Sequence, residues 1–457
     1  MSRQKVGSSF RDPSGSVYQD NGKIFRLIKE PYKDDYNYLI NSGLYSKLIK
    51  LNLLIPHEEI VAKEKGVYKL IRPVQIPFIS YPYEWCFSEL KDAASITLIV
   101  QKIAMEYGMI LKDATPYNIQ FYQGKPIFID TLSFKRYNEG TTWSAYRQFC
   151  TNFLAPLLLM VYAHKELNKL LRVYINGIPL DLASALLPIR TWLKPAILSH
   201  IHIHAKMQSN FGQKKISVKK NFLGKMALEG LIDNLQSIIG SLVLNLKKSE
   251  WSEYYSDHNY SQRGFSYKKK IVSVFVGDIK PSSIWDLGAN LGIFSHPFAR
   301  ANINTVAFDS DPLAVEKNYL FCKEKKIRNC LPLVMDLANP SPGLGWEGKE
   351  RMSIFERGSA DCVLALALIH HLVITNSIPL EKVASFLQRI CKNLIIEFVP
   401  KEDPQVQILL QNRTDIFGDY NRENFESVFK KYFLIKKFSQ IPDSGRAIYL
   451  MQKRRRK

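Results

Sequence analysis

Hydrophobic positions in the second half of the 457-residue chain alternate between short apolar runs and amphipathic stretches. The runs read as strands at 283–287, 304–308, 330–335, 361–366 and 394–399, and the stretches read as helices at 292–301, 312–325 and 380–392. Apolar strands alternating with helices predict a parallel sheet covered on both faces. The last two apolar runs, 433–438 and 447–452, predict a terminal antiparallel hairpin. The predicted fold class is therefore α/β, with a Rossmann-like, mostly parallel sheet.

The first half has a different pattern, typical of an α+β domain. Two β-prone runs flank Asn21-Gly22, a pair that favours a tight hairpin over 16–28. Helices are predicted at 34–53 and 87–107, short strands at 68–71 and 76–79, and mostly helix from 143 to 246. A Gly/Lys-rich stretch at 211–225 reads as a linker. The predicted domains are residues 1–248 and 249–457.

Composition places the chain among soluble globular proteins, with 46% hydrophobic and 23% charged residues. Six cysteines without a Cys-x-x-Cys pair argue against a zinc site or a disulfide framework, so no metal site is predicted. The first residues, MSRQKVGSSFRDPSGS, have no apolar stretch that could serve as a signal peptide, and the apolar run 153–163 is shorter than the roughly 20 residues of a membrane-spanning helix. These features predict a cytoplasmic protein without a transmembrane segment. They do not indicate its oligomeric state.

The net charge of +21 leaves two interpretations open. A strongly basic chain can bind a polyanion such as nucleic acid. Alternatively, the lysines cover solvated faces. The basic excess is spread over both halves and forms no single basic stripe.

A glycine-rich loop follows the first strand of the second half, in the sequence Asp286-Leu-Gly288-Ala289-Asn290-Leu-Gly292. It lies between a strand and a helix, as a ligand-binding loop of this kind requires. Gly288 permits a sharp turn and Gly292 a close approach of the helix. Ligands of open α/β sheets bind at the carboxyl ends of the strands. The full G-x-G-x-x-G pattern is missing, so a dinucleotide is not the expected ligand.

Acidic residues end the next two strands. Asp309 follows the second strand, where a carboxylate can accept both hydroxyl hydrogens of a ribose, with Asp311 as the alternative. Asp336 ends the third strand, in position to accept from an adenine amino group. The fourth strand leads to His370-His371, and Glu397 ends the fifth.

This order of motifs resembles the class I S-adenosylmethionine-dependent methyltransferases, over roughly residues 255–450. The resemblance implies S-adenosylmethionine as cofactor, with Asp309 at its ribose and Asp336 and Leu337 at its adenine. On the methionine side, the implied cofactor-binding residues are those of the glycine-rich loop: Asp286, Gly288, Ala289, Asn290 and Gly292.

Methyl transfer needs little acid–base help, because the sulfonium carbon is already electrophilic and the enzyme mainly aligns the nucleophile. A hydroxyl acceptor would benefit from a general base near the mouth of the site. The candidate catalytic residues are His370, His371 and Glu397. The alternative for each histidine is a structural role behind the loop.

The first half carries Asp113, Asn118 and, on a following strand, Asp130. This spacing resembles kinase-like folds such as aminoglycoside phosphotransferases, where the first Asp accepts the substrate proton and the other two residues hold magnesium. However, the hairpin near Ser14 is a poor glycine-rich phosphate loop, and Arg26 stands where a phosphate-binding lysine is expected. The two interpretations are a kinase-like scaffold inactive in phosphoryl transfer, or a loop and hairpin whose polar residues cap turns.

The whole chain also resembles bacterial two-domain methyltransferases of the nodulation type. The likeness lies in stretches at 43–45, 54–58, 81–85, 129–134 and 146–149. It implies methylation of an oxygen or nitrogen atom of a small molecule or glycan. Two alternatives stay open: an RNA methyltransferase, motivated by the charge, and a bifunctional or regulatory protein whose kinase-like half binds ATP.

Overall fold

A computed structural model describes residues 4–61, 66–211, 224–245, 260–411 and 414–454. The chain divides into two compact units. Unit 1 comprises residues 1–246 together with 343–351, and unit 2 comprises 247–342 and 352–457. The predicted domain boundary after residue 248 and most of the linker predicted at 211–225 lie outside the described residues.

Over the described ranges, none of the helices combines the length and the apolar character that crossing a membrane requires.

Unit 1 begins with a five-stranded antiparallel sheet and continues with two smaller strand pairs. The strands are β1 (Gln4–Lys5), β2 (Gly15–Asp20), β3 (Lys23–Lys29), β4 (His57–Ile60), β5 (Val67–Pro73), β6 (Met109–Leu111), β7 (Ile119–Tyr122), β8 (Lys125–Phe128) and β9 (Phe134–Arg136). The sheet has the order β1-β2-β3-β5-β4, while β6 pairs with β9 and β7 with β8.

The predicted hairpin is confirmed, since β2 and β3 are joined by Asn21 and Gly22, both at positive φ. The prediction of one continuous helix over 34–53 is wrong. The stretch is split into α1 (Lys33–Asn41) and α2 (Leu44–Lys50) at Gly43, whose φ of 85° ends a helix. The strand predicted at 76–79 is also wrong, because these residues join no ladder and Pro77 lacks the N–H a ladder needs.

The rest of unit 1 is mainly helical, as predicted. Its further helices are α3 (Phe87–Glu106), α4 (Tyr146–Phe149), α5 (Ala155–Tyr162), α6 (Leu180–Leu186), α7 (Pro195–Ile197), α8 (His204–Phe211) and α9 (Lys225–Ser241). The predicted long helix is confirmed in α3, which begins where the Glu89 carboxylate accepts from the Cys86 backbone N–H at 2.8 Å.

Unit 2 is built on one seven-stranded sheet. Its strands are β10 (Ser283–Leu287), β11 (Asn304–Asp309), β12 (Cys330–Val334), β13 (Ala360–Ala365), β14 (Cys391–Phe398), β15 (Phe433–Gln440) and β16 (Ala447–Lys453). The order is β12-β11-β10-β13-β14-β16-β15. All neighbours are parallel except β16, which is antiparallel to β14 and to β15. The predicted sheet, including its terminal hairpin, is confirmed.

The helices of unit 2 are α10 (Gln262–Ile279), α11 (Ser295–Arg300), α12 (Pro312–Glu324), α13 (Leu380–Ile390), α14 (Pro404–Leu410) and α15 (Arg422–Tyr432). Of these, α10, α14 and α15 were not predicted, and α11 starts three residues later than expected. Strand β13 lies between β10 and β14, so it is buried on both faces and its sequence is almost continuously apolar. Because β10, β11, β12 and β13 are parallel to one another, their carboxyl ends lie at the same edge of the sheet.

Candidate functional site

The chain bends sharply where β10 ends. The backbone N–H groups of Gly288 and Ala289 both donate to the carbonyl of Phe308 on β11, each at 2.9 Å. Gly288 has a φ of 75° and Gly292 a φ of 77°, a region that side chains with a Cβ adopt only at a cost. A Cβ on Gly292 would lie 2.6 Å from the side chains of Asn318 and His296. The glycines at both positions are therefore required by the backbone geometry.

Asp309 lies at the end of β11, beside this bend. Its Oδ2 accepts from the Asn290 backbone N–H at 2.7 Å, and its Oδ1 accepts from the Asp311 N–H at 2.9 Å. Burial raises the pKa of Asp309 to about 6, although the backbone N–H groups oppose the shift. Each carboxylate oxygen retains acceptor capacity for a further hydrogen bond.

The alternative acid, Asp311, has a different position. It is the N-cap of α12, and its Oδ1 accepts from the Leu313 N–H at 2.9 Å. Capping a helix is a structural role. Of the two acids, Asp309 is the one placed for a ligand.

Two more acids lie on the strands on either side of β11 or just after them. Asp286 is buried within β10, where the Ser295 hydroxyl donates to its carboxylate at 2.6 Å and burial raises its pKa to about 6. Asp336 is exposed and follows β12, accepting from the Ala338 N–H at 2.8 Å. The preceding residue, Met335, donates its N–H to the Asp309 carbonyl at 2.7 Å. The structure thus brings Asp286, the glycine loop and Asp309 together, with Asp336 and half-buried Leu337 at the adjacent strand end.

The loop after β13 reaches the same place. A Cβ on Gly288 would lie 3.4 Å from the Leu368 side chain, two residues before His370. His370 is fully buried, and neither of its ring nitrogens has a hydrogen-bond partner among the residues that the structure describes. Burial, and then the charges of His371, Arg446 and Lys268, hold its pKa well below the ordinary value.

His371 lies against His370, with ring centroids 4.2 Å apart, and burial lowers its pKa to about 4. Both imidazoles are therefore neutral near pH 7. A neutral imidazole can accept a proton.

The Glu397 side chain belongs to a buried network of mostly charged side chains. Its carboxylate pairs with the Lys268 ammonium at 2.7 Å and accepts from the Tyr260 hydroxyl, while Arg446 contacts Tyr260. Arg446 also donates two hydrogen bonds to Asp403, at 2.6 and 2.9 Å. All five side chains are buried, and the two cations balance the two carboxylates.

Sequence reasoning missed Lys268, Tyr260 and Arg446. The available signal was the position of Lys268 on α10, four residues before Val272 and seven before Phe275, both buried. A lysine on an otherwise apolar helix face is expected to have a buried partner.

In unit 1 the structure brings Asp113, Asn118 and Asp130 close together. Asn118 donates to Asp113 and, at 3.1 Å, to the Ser133 hydroxyl. Asp130 accepts from the Leu132 N–H at 2.8 Å and forms an ion pair with Arg26 at 2.6 Å. Burial and the nearby charge of Asp130 raise the pKa of Asp113.

Unit 2 is a mostly parallel, seven-stranded α/β sheet with a glycine bend after β10 and an acid after β11, the arrangement that the resemblance to class I methyltransferases implies. No protein-family model matches the chain. The nodulation protein NoeA of Rhizobium meliloti (strain 1021) is 35% identical over 460 residues, covering 98% of this chain and 96% of NoeA. The chain belongs to the family of NoeA.

Three solved structures with some similarity each cover less than half of this chain. One is the magnesium protoporphyrin IX methyltransferase ChlM of Synechocystis PCC 6803 with bound SAH: 16% identity, 45% of this chain, 93% of ChlM and a TM-score of 0.33. The match with the N-methyltransferase NodS of Bradyrhizobium japonicum WM9 has 9% identity, covers 42% of this chain and 98% of NodS, and has a TM-score of 0.32. The match with WbdD has 16% identity, covers 44% of this chain and 42% of WbdD, and has a TM-score of 0.31.

Proposed function

We propose that unit 2 transfers a methyl group from S-adenosylmethionine to an oxygen or nitrogen atom of a small molecule or glycan. The observation that carries this proposal is the convergence of the Gly288 bend and the Asp309 carboxylate at one sheet edge. Two strand ends thereby present a narrow backbone turn and an acceptor for vicinal hydroxyls, as an adenosyl group requires.

The residues present fit S-adenosylmethionine. Asp309 keeps acceptor capacity for two ribose hydroxyls, and Asp336 with Leu337 follows the next strand for the adenine. Asp286 and the loop Gly288–Gly292 would lie along the methionine moiety, where a carboxylate favours the ligand's ammonium and sulfonium charges. When bound, the cofactor supplies a methyl carbon already activated by the positive sulfur. The chain's own task is to orient the two reactants and exclude water.

His370 is the candidate proton acceptor for the methyl acceptor's hydroxyl or amino group. It is neutral and buried, and its ring nitrogens have no partner among the described residues, which supports a ligand-facing role. His371 lies beside it and is the second candidate. Glu397 is already neutralised by Lys268 and bonded to Tyr260, so we assign it to holding these side chains in position.

The acceptor class rests on family membership, since the relative is a nodulation protein, together with the absence of a single basic stripe in the sequence. RNA is the alternative acceptor suggested by the net charge of +21. Its binding would weaken steeply with added salt, because phosphate contacts release counterions.

The direct test is calorimetry of S-adenosylmethionine and S-adenosylhomocysteine with the full chain. It is followed by a screen of glycans, small molecules and RNA with S-adenosylhomocysteine release as the readout. We expect one cofactor site per chain and release with a glycan or small molecule. Absence of cofactor binding by a folded chain overturns the proposal, and release with RNA alone overturns the acceptor class.

We further infer that unit 1 is a kinase-like scaffold inactive in phosphoryl transfer. An antiparallel sheet, the long helix α3 and the Asp113–Asn118 loop follow one another as in that resemblance. The residues do not fit a magnesium–nucleotide site, because the Asp130 carboxylate needed by the metal is paired with Arg26. Titration of ATP with magnesium into the full chain should give no binding heat, and measurable ATP turnover would contradict this inference.

A further inference from the structure

Three potential metal-ligand atoms, two sulfurs and one imidazole nitrogen, come from separate elements of unit 2 and lie together near the glycine bend. His296 comes from α11, Cys322 from α12 and Cys330 from the first position of β12. One ligand atom of each lies within 4.8 Å of the others, and all three residues are buried. This cluster is outside the residues assigned above to cofactor, acceptor or catalysis.

A fourth donor adjoins the cluster. The side-chain oxygen of Asn318 lies 2.8 Å from His296 Nε2 and accepts from the Cys322 thiol at 3.5 Å. Asn318 is buried on α12, one turn before Cys322. The same amide oxygen thus lies next to two of the three potential metal-ligand atoms.

We propose that His296, Cys322 and Cys330 bind one zinc ion, with the Asn318 side-chain oxygen or a water as fourth ligand. Two thiolates and one imidazole are a donor set that zinc prefers, in tetrahedral geometry. Zn–S distances of about 2.3 Å and Zn–N of about 2.0 Å put donor atoms roughly 3.5–4 Å apart, so small side-chain rotations close the cluster.

Charge also favours zinc at this buried place. Two thiolates neutralise the divalent ion, so the complex carries no net charge into the interior.

The site would be coupled to the glycine bend through His296. The His296 backbone N–H donates to the Gly292 carbonyl at 2.9 Å, and its Nε2 lies 2.6 Å from where a Gly292 Cβ would be. A metal held there fixes the start of α11 and, with it, the loop proposed for the cofactor. Spacing did not indicate this cluster, because its ligands come from two helices and a strand.

The test is titration of the full chain with Co²⁺ as a spectroscopic substitute for zinc, with metal analysis of the purified protein. We expect the chain to bind one equivalent of Co²⁺, with a thiolate-to-cobalt charge-transfer absorption of the intensity typical of two thiolate ligands. Added Zn²⁺ should displace the bound Co²⁺. In Cys330→Ala that absorption should fall to half or less, and His296→Asn should weaken binding at least tenfold. The matched control is Cys391→Ala, a buried cysteine that starts β14 and should bind like the unmodified chain.

Two results would overturn the zinc proposal. One is that the chain is folded, as judged by circular dichroism, but binds no Co²⁺. The same holds if Cys322→Ala and Cys330→Ala bind Co²⁺ as tightly as the unmodified chain does. The other is loss of two titratable thiols under mild oxidation in the presence of excess Zn²⁺, since a Cys322–Cys330 disulfide would then be the favoured state. Neither result depends on methyl transfer, so the outcome is separable from the proposed function.

Discussion

The backbone N–H of Asn290 donates to Oδ2 of Asp309 at 2.7 Å, joining the loop after β10 to the carboxylate after β11. The bond has two effects. It orients the carboxylate, and it holds Asn290 at a φ of 49°, a conformation that costs a non-glycine residue energy. The two halves of the proposed cofactor site are therefore one hydrogen-bonded structure, and a change in either should disturb the other.

Asp309→Ala should abolish detectable S-adenosylmethionine binding, a loss of at least 100-fold, because it removes the ribose acceptor and the partner of the Asn290 N–H. Calorimetry measures the affinity. The matched control is Asp361→Asn, an acid near the opposite end of a parallel strand, where it pairs with Lys392. The control should bind like the unmodified chain, and micromolar affinity in Asp309→Ala would mean the site is misplaced.

Gly288→Asp should also abolish cofactor binding. The new side chain would need a φ of 75°, would approach Leu368 and would add a negative charge beside Asp309. Gly277→Ala serves as control, because Gly277 lies within α10 and a Cβ there meets no atom within 4 Å. That control should keep full affinity and gain up to about 1 kcal/mol of helix stability. Thermal unfolding and calorimetry of both variants distinguish local strain from loss of the site.

Cofactor binding should release protons near pH 6. Asp286 and Asp309 both have pKa values raised to about 6 by burial, and only their ionised forms favour the cationic, hydroxyl-bearing ligand. Affinity should therefore fall as the pH drops through 6, by roughly tenfold per pH unit and per coupled carboxyl. Calorimetry at pH 6 in two buffers of different ionisation enthalpy measures the released protons. Equal heats in the two buffers would contradict the expectation.

The same carboxyls should affect the ligand-free chain in the opposite direction. Their pKa values in the folded state lie above the unfolded value of about 3.9. Their contribution to stability is thus largest below about pH 4 and is lost as the pH rises through 6. Asp309→Asn cannot ionise, so its unfolding free energy should decline less between pH 4 and pH 7.

The sequence predicted unit 2 well because each of its signals was local. Strands such as β13 are apolar throughout since both faces are covered, and Gly288 and Asp309 follow strands at the expected spacing. The sequence failed where partners are distant along the chain. Lys268 and Glu397 form one ion pair across 129 residues, and the His296, Cys322 and Cys330 cluster is assembled only by helix packing.

Unit 1 shows the same limit. The Asn21-Gly22 turn was predictable because two adjacent residues determine it, whereas a helical pattern over 34–53 concealed the break at Gly43. The ion pair between Arg26 and Asp130 joins β3 to a residue 104 positions later, which no spacing rule indicates. Our inference that unit 1 holds no magnesium–nucleotide site rests on this pair.

His370→Asn should lower the rate of methyl transfer by 10²–10⁴ at unchanged cofactor affinity if the imidazole accepts the acceptor's proton. His371→Asn tests the neighbouring ring in the same assay. Because both pKa values are lowered, to about 4 for His371, neither histidine should impose a falling rate between pH 8 and pH 6. If the histidine has only a structural role, the substitution should lower stability, and the rate should not fall at unchanged cofactor affinity. The control is His164→Asn, at an exposed position, which should change neither the rate nor the affinity.

Lys268→Met should lower the unfolding free energy by about 3–5 kcal/mol, because it leaves the Glu397 carboxylate buried without its cation. The matched control is Lys269→Met, the next residue on α10, whose exposed side chain should contribute less than about 1 kcal/mol. The double variant Lys268→Met with Glu397→Gln should recover part of the loss, since no uncompensated charge remains. Urea unfolding of the four proteins gives the coupling energy. A near-zero coupling would mean that Glu397 is not held by Lys268, which would return it to the candidates for proton transfer.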